Sequence, residues 1–315
     1  MTFVKRRRIS LHRGSLALGL MIMVLLTSGC KDKKEVDEEP DSHRETITQI
    51  KVAESLGVDV LTNDSGTISF DASDLAHGHI IVKYTGTADK VQVQVEDSKG
   101  NRTPYPLKIG SNEAIPFTKG NGKYKVSLLE HVNNNLYSIG LSQDFDVKMS
   151  NENDAFLYPN QYSDYKPDSD SVKLARNISD KSASDLDYIK RVYNYIIKEI
   201  RYDEEFAKNI PLNYIPDPDE TLRKKKGICL DYASLTTAML RSQGLPTKLE
   251  VGYSGEAYHA WISVWTKDTG WIDNVIRFEG NKWTLVDPTL AANNSKSSVK
   301  KYIGDGSNYT LKFVY

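Results

Sequence analysis

Cysteine is nearly absent. The 315 residues hold two, Cys30 and Cys229, so at most one disulfide can form and a scaffold built on disulfides is excluded. Excess charge is absent too. The net charge is −1 with 26% charged residues. Beyond an N-terminal cluster, Lys and Arg are scattered and form no basic stripe interleaved with aromatics, so nucleic acid is not an expected partner. Metal-ligand spacing is also missing. His77-Gly78-His79, if extended, would set two imidazoles on one face, but no Asp, Glu or Cys completes the set at a readable spacing. Polar positions on a solvated loop or strand account for the pair, and neither a metal nor a cofactor is expected. Apolar runs are short, with one longer stretch near the start. The length leaves room for two domains.

That apolar stretch is part of an address. Lys5, Arg6, Arg7, Arg8 and Arg13 form a positive segment, and Leu16 to Leu26 form an apolar one too short for a stable membrane span. Thr27, Ser28 and Gly29 then lead into Cys30. The arrangement resembles the lipobox of bacterial lipoproteins, with Thr27 where Leu is more usual. The resemblance implies that residues 1–30 are a signal peptide and that the Cys30 thiol takes a diacylglycerol. Two or three acyl chains hold a protein on a membrane durably. The expected location is therefore the extracytoplasmic face of the cell membrane, through a lipid anchor. Residues 31–50 are mostly polar and read as a flexible tether. With Cys30 lipidated, Cys229 is the one thiol left and has no internal partner.

Residues 51–150 change period to two. IIVKYTG, VQVQVED, YPLKIG, YKVSLLEHV, YSIGLS and DFDVKMS alternate apolar and polar residues between turn signals such as Lys99-Gly100-Asn101 and Asn133-Asn134-Asn135. Short strands at this spacing predict an all-β, immunoglobulin-like sandwich, acting as a spacer or a binding surface.

Residues 151–315 mix periods. The stretch to 184 reads as irregular, with at most a short helix at 171–177. Leu186, Ile189, Val192, Tyr193, Ile196, Ile197 and Ile200 then predict a helix over 185–200, opened by Ser184 with Asp187 as a variant capping box. Its apolar face should pack on the helix that follows Cys229. Pro211, Pro216 and Pro218 mark a loop between the two. Gly227 permits a sharp turn, and from Cys229 onward Leu235, Ala238, Met239 and Ser242 recur at helical spacing. Gly244 and Pro246 stop that helix. Cys229 thus stands in a first turn, where backbone N–H groups lack intrahelical partners and the dipole is positive, so a thiolate is favoured over a thiol. Such a sulfur suits nucleophilic chemistry, although a lone Cys is most often a small buried hydrophobe. KLEVGYS and AYHAWISVW follow as strands. In the second, His259 alternates with Ala260, one face to pack on the helix and the other to carry the imidazole. KWTLVDPTL is a further strand ended by Asp287, and YTLKFVY reads as an edge strand. This half therefore offers one Cys, one His, and an Asp able to orient the ring.

KKGICLDYASLTTAMLRSQGLPTKLEVGY, then YHAWISVW, then WTLVDPTL, resembles the transglutaminase-like domain of bacterial and archaeal proteins, over roughly residues 185–292. Tyr202-Asp203 fits the same pattern. The resemblance implies an α+β papain-like core, with the Cys-bearing helix packed on an antiparallel sheet, and a Cys229–His259–Asp287 triad acting on protein or peptide amides. The Cys229 N–H would be one oxyanion donor, with Tyr253 or Tyr258 as candidates for a second. Nothing resembles the calcium sites of animal transglutaminases. Ser263 departs from relatives that carry an acidic residue after His-Ala-Trp. Trp261, Trp271 and Trp283 are expected in the core. The competing expectations are a binding or scaffold lipoprotein of the cell envelope without turnover, and a solute-binding lipoprotein working through its β-rich part.

Overall fold

Alternation along the strands builds the first half of the fold. Val91, Val93 and Val95 are buried while Gln92 and Gln94 are partly exposed, the pattern of a strand with one face on a core. The computed structural model describes residues 43–315 except 135, 212–213, 255, 273–275, 280–281 and 286–308. All of these belong to the compact unit Asp41–Tyr315. Eight strands come first: β1 (Val60–Thr62), β2 (Ile68–Asp71), β3 (His79–Tyr84), β4 (Val91–Asp97), β5 (Arg102–Pro106), β6 (Asn112–Pro116), β7 (Gly122–Asn133) and β8 (Leu136–Val147). They form two four-stranded sheets, ordered β1-β2-β3-β6 and β5-β4-β7-β8, and every pairing is antiparallel. Phe70, Ile80, Val82 and Ile115 of the first sheet share one hydrophobic cluster with Val93, Val126, Leu128 and Val147 of the second. Tyr84 ties the sheets together. Its hydroxyl donates to Glu130 Oε1 at 2.6 Å and accepts the Ala88 N–H at 3.0 Å.

The remaining elements are α1 (Asp170–Ser179), α2 (Asp185–Glu199), β9 (Arg201–Tyr202), α3 (Glu204–Lys208), α4 (Pro218–Lys224), β10 (Lys226–Gly227), α5 (Cys229–Ser242), β11 (Thr247–Ser254), β12 (Ala257–Thr266), β13 (Gly270–Ile272), β14 (Ile276–Glu279), β15 (Lys282–Leu285) and β16 (Tyr309–Val314). An antiparallel sheet runs in the order β13-β12-β11-β16, and α5 packs against β11 and β12. The architecture is mixed α+β. The same hydrophobic cluster that fills the two N-terminal sheets continues through α2, α5, β11 and β12 to Tyr315.

Local signals set the ends of α2 and α5. Ser184 Oγ accepts the Asp187 N–H at 3.2 Å, and Asp187 Oδ2 accepts the Ala183 N–H at 3.1 Å, so the box closes one residue before the cap. The apolar face of α2 meets α5, where Tyr188 donates to the Met239 carbonyl at 2.7 Å. Gly244 ends α5 in the left-handed region, φ +78°. The Leu245 N–H reaches back to the Leu240 carbonyl at 3.1 Å, a terminating bond that suits glycine at this position.

Three stretches differ from the sequence reading. The tether expected over 31–50 is docked at its end. Arg44 donates to Asp185 Oδ1 at 2.7 Å, to Ser179 Oγ at 2.6 Å and to the Gln243 carbonyl, and its guanidinium lies 4.6 Å over the Tyr188 ring. Ile50 is buried beside Val172 and Ala238. One cation with three acceptors and one apolar anchor hold this polar segment down. The helix expected at 171–177 runs over Asp170–Ser179, because the Asp219 carboxylate of α4 accepts the Asp170 and Ser171 N–H groups at 3.0 and 2.8 Å. Pro218, expected in a loop, opens α4, since the first helical position needs no N–H. Asp217 caps that helix by accepting the Glu220 N–H at 2.9 Å.

Candidate active site

Cys229 is the first residue of α5 and is half-buried, with its thiol not in a disulfide. The rest of the helix explains its position. Of its fourteen residues, Asp231 to Ser242 are all buried, and only Cys229 and Leu230 reach solvent. Side chains from other elements hold α5 along its length. Ser163 donates to the Ser234 carbonyl at 3.3 Å and Tyr188 to the Met239 carbonyl. Arg241, buried, donates to the carbonyls of Thr247, Tyr158 and Tyr315 at 2.7–2.8 Å.

The turn before Cys229 is held from two sides. β9 and β10 make a short parallel bridge that pairs Tyr202 with Gly227, and the Asp203 N–H donates to the Gly227 carbonyl at 2.9 Å. Asp203 also pairs with Lys226 at 3.0 Å. This bridge sets the Tyr-Asp dipeptide beside the cysteine turn. On the other side, Asp231 Oδ2 accepts the Ile228 N–H at 2.8 Å, and Asp231 Oδ1 accepts the Tyr214 hydroxyl at 2.8 Å. Burial pushes the Asp231 carboxyl up, and those two hydrogen bonds oppose the rise. A Cβ on Gly227 would sit 2.6 Å from Asp231 Cβ, so only glycine lets the turn lie this close.

His259 is half-buried on β12, directly opposite Gly252 of β11. Register places it on one face with Trp261 and Ser263, and Ala260, Ile262 and Val264 on the other. Both faces are covered, because Trp261 and Ser263 are as buried as the aliphatic residues. Ser263 donates to Glu250 Oε2 at 2.5 Å. Ser263, where the sequence lacks an acidic residue, is thus hydrogen-bonded to a carboxylate of β11. Tyr258, next to His259, is 57% exposed and packs edge-to-face on Tyr253 at 5.4 Å. Its phenol is pushed up by burial of its inner part, by Tyr253 and by the Cys229 thiol. Cys229 and Tyr258, the residue before His259, are therefore within electrostatic reach of each other. Asp287 and Cys30 lie outside the described residues, as does the side chain of Trp283. Trp271 packs edge-to-face on Phe156 at 5.3 Å.

His77 and His79 are not a solvated pair on one face. His77 sits on a short 3-10 turn, with Nδ1 2.6 Å from Asp74 Oδ1. His79 begins β3, is 1% exposed and lies against the Tyr158 ring at 4.5 Å. Burial pushes its imidazole down. The intervening Gly78, in the left-handed region at φ +79°, breaks the extended run that would have aligned them. Among the described residues no group of three or more His, Cys, Asp or Glu side chains is placed to hold a metal ion. Sequence reasoning did not single out Asp231, Tyr214 or Glu250. Asp231 stands at the third helical position, where a reciprocal cap belongs, and that spacing was readable. Tyr214 and Glu250 come from distant loop and strand positions and gave no local signal.

Residues 172–288 match the family model of the transglutaminase-like superfamily. The chain carries a core domain of that superfamily. It is 29% identical over 142 residues to the UPF0252 protein MJ1282 of Methanocaldococcus jannaschii, a match covering 41% of this chain and 38% of that protein. It is 27% identical over 142 residues to the kyphoscoliosis peptidase of Mus musculus, covering 41% of this chain and 19% of the peptidase. The chain thus spans well under half of these curated relatives. Among solved structures, red sea bream transglutaminase aligns with 69% of this chain and 48% of its own, at 11% identity and a TM-score of 0.29.

Proposed function

We propose that the protein is a membrane-anchored thiol enzyme of the extracytoplasmic face, working on amide bonds of proteins or peptides through Cys229, His259 and Asp287. In this reading residues 51–150 are an immunoglobulin-like module and residues 151–315 a papain-like transglutaminase core. Cys30 carries the lipid. The observation that carries the reading is the solvent access of α5: a buried helix surfaces only at its first two residues, Cys229 and Leu230, and the first of them bears the sulfur. The packing of α5 on β12, the strand that bears His259, supports it as well.

The chemistry follows from those groups. The thiolate adds to the amide carbonyl carbon, and first-turn N–H groups at the start of α5 stabilise the oxygen as it becomes negative. The carbon–nitrogen bond breaks, and the imidazolium of His259 gives its proton to the departing amine. A thioester on Cys229 remains. An incoming amine or water attacks it, gives a proton back to His259 and releases the sulfur. Asp287 holds the ring in the required tautomer. Amine attack makes a cross-link and water makes a hydrolase, and exclusion of water separates the two.

The test is incorporation of a fluorescent amine into glutamine-containing peptides, with ammonia release followed in parallel. The intact chain is compared with Cys229→Ala and His259→Ala. Both activities should fall at least a hundredfold in each variant. Turnover in the Cys229→Ala protein equal to that of the intact chain would sink the reading, and an intact chain with no turnover at all would leave an envelope scaffold.

A further inference from the structure

The start of α5 is capped in an unusual way. Ile228 occupies the N-cap in an extended conformation, φ −98° and ψ −179°. Ser, Thr, Asp or Asn at that place would accept an N–H from the first turn, and an isoleucine side chain cannot. The reciprocal half of the cap is present alone, through Asp231 Oδ2 and the Ile228 N–H at 2.8 Å. The clamp therefore grips the backbone before the helix and leaves the donors of the first turn unspent by an N-cap side chain. Those donors belong to the turn whose first residue carries the sulfur.

The clamp itself is fixed. Asp231 is 2% exposed, and its second oxygen accepts the Tyr214 hydroxyl at 2.8 Å. Tyr214 packs edge-to-face on Phe206 at 4.9 Å, and α3, which carries Phe206, is opened by Asp203, the residue bonded to the Gly227 carbonyl. Lys224 and Lys226 line the same recess as Tyr214 and Asp231. Lys226 is paired with Asp203 at 3.0 Å and Lys224 with Glu220 at 2.7 Å. The cations of this recess are thus paired with other carboxylates, Asp203 and Glu220, and Asp231 takes its hydrogen bonds from the turn and the phenol.

We infer that Asp231 and Tyr214 are positioning residues for Cys229: the Tyr214-anchored carboxylate fixes the Gly227–Ile228 turn so that the sulfur stands among first-turn N–H groups that no side chain consumes. This rests on the thiol-enzyme reading for its purpose. Its geometry is tested without any substrate.

The experiment measures the rate at which iodoacetamide alkylates Cys229 in the full chain, read by mass spectrometry of the Cys229 peptide, with circular dichroism confirming the fold. The expected result is a loss of about tenfold for Asp231→Ala and of about threefold for Tyr214→Phe, from the loss of one or two buried hydrogen bonds at the turn. Asp231→Asn keeps a carbonyl oxygen for the Ile228 N–H and should restore most of the Asp231→Ala loss. Should Asp231→Ala fail to fold, Tyr214→Phe and Asp231→Asn decide. A wild-type rate in Tyr214→Phe, or an Asp231→Asn protein as slow as Asp231→Ala, overturns the inference. Altered alkylation in a chain that turns over no amide would leave the inference standing and remove the enzymatic reading instead.

Discussion

Asp71 gives the sharpest quantitative test of how the first half of the fold is held. It ends β2, is buried, and turns back toward the 55–59 segment. Oδ2 accepts the Ser55 hydroxyl at 2.6 Å and the Gly57 N–H at 2.8 Å. Oδ1 accepts the Ser73 N–H at 3.0 Å and the Ser73 hydroxyl. Ser73 Oγ in turn accepts the Val58 and Asp59 N–H groups at 2.9 and 2.8 Å. Burial alone would raise the carboxyl. The hydrogen bonds from Ser55, Ser73 and Gly57 outweigh it and bring the pKa from 3.8 down to about 2. That difference corresponds to about 2 kcal/mol favouring the ionised native form. The folded value lies below the unfolded one, so the contribution is present above about pH 4 and is lost as the pH falls through 2. Asp71→Asn turns two acceptors into one acceptor and one misdirected donor, and should cost at least about 2 kcal/mol at pH 7. Urea unfolding of both proteins at pH 7, 4, 3 and 2 reads this directly. The wild type should lose ground steeply between pH 4 and 2, and the variant should lose less. Parallel acid dependence in the two proteins would refute the reasoning.

Other predictions concern charge and the docked N-terminal segment. Glu113 is pushed up to about 6, mainly by burial, with Lys108 opposing and Asp164 adding to the rise. Here the folded value exceeds the unfolded one, so the ionised form is disfavoured and stability is lost as the pH rises through 6. Glu113→Gln should therefore raise the unfolding free energy at pH 7.5 by about 1 kcal/mol given its partial exposure, read as a higher urea midpoint, and leave it unchanged at pH 4. Arg44→Ala removes the bonds donated to Asp185, Ser179 and Gln243 and a ring contact, and should cost about 2–3 kcal/mol. Thermal unfolding checks it, and a melting temperature equal to the wild type would show that the segment 44–50 contributes nothing to the fold.

What the sequence made legible was local. The limits of α5 were readable because Gly227, Gly244 and Pro246 act within a few residues of the helix they bound. The apolar face of α2 and the Ser184 cap were readable for the same reason. What stayed hidden depends on partners far along the chain. Asp219 caps α1 from 48 residues away. Arg44 finds its acceptors on α1, α2 and the end of α5. The burial of His79 is set partly by Tyr158, which no periodicity around 77–79 announces. At the candidate site, the cysteine and the histidine stood out because each is the only one of its type in its half of the chain. Glu250 did not, because its meaning comes from the β11–β12 pairing that brings it to Ser263.

The burial of α5 also bears on why the site stands where it does. A surface helix carries one apolar stripe, and a helix buried on all sides is expected to be apolar on all sides. This one is not: Ser234, Thr236, Thr237, Arg241 and Ser242 are all buried in it. Small hydroxyl residues let neighbouring elements come close, and Thr236 and Ser242 return their hydroxyls to carbonyls of the helix itself, those of Tyr232 and Met239, at 2.7 and 2.9 Å. Arg241 reaches outward instead and joins the helix to the 158 loop, to the start of β11 and to Tyr315. Each such bond removes a way for the helix to slide or rotate. A catalytic sulfur must be held to within about half an ångström of its working position by a shell that does not yield. A helix pinned at its middle and its far end, and open only at its first two residues, meets that requirement at the end that bears Cys229, as the proposed thiol chemistry asks. If α5 were only a core element, burial of Cys229 itself would have served stability better, by about 1–2 kcal/mol for a small apolar side chain.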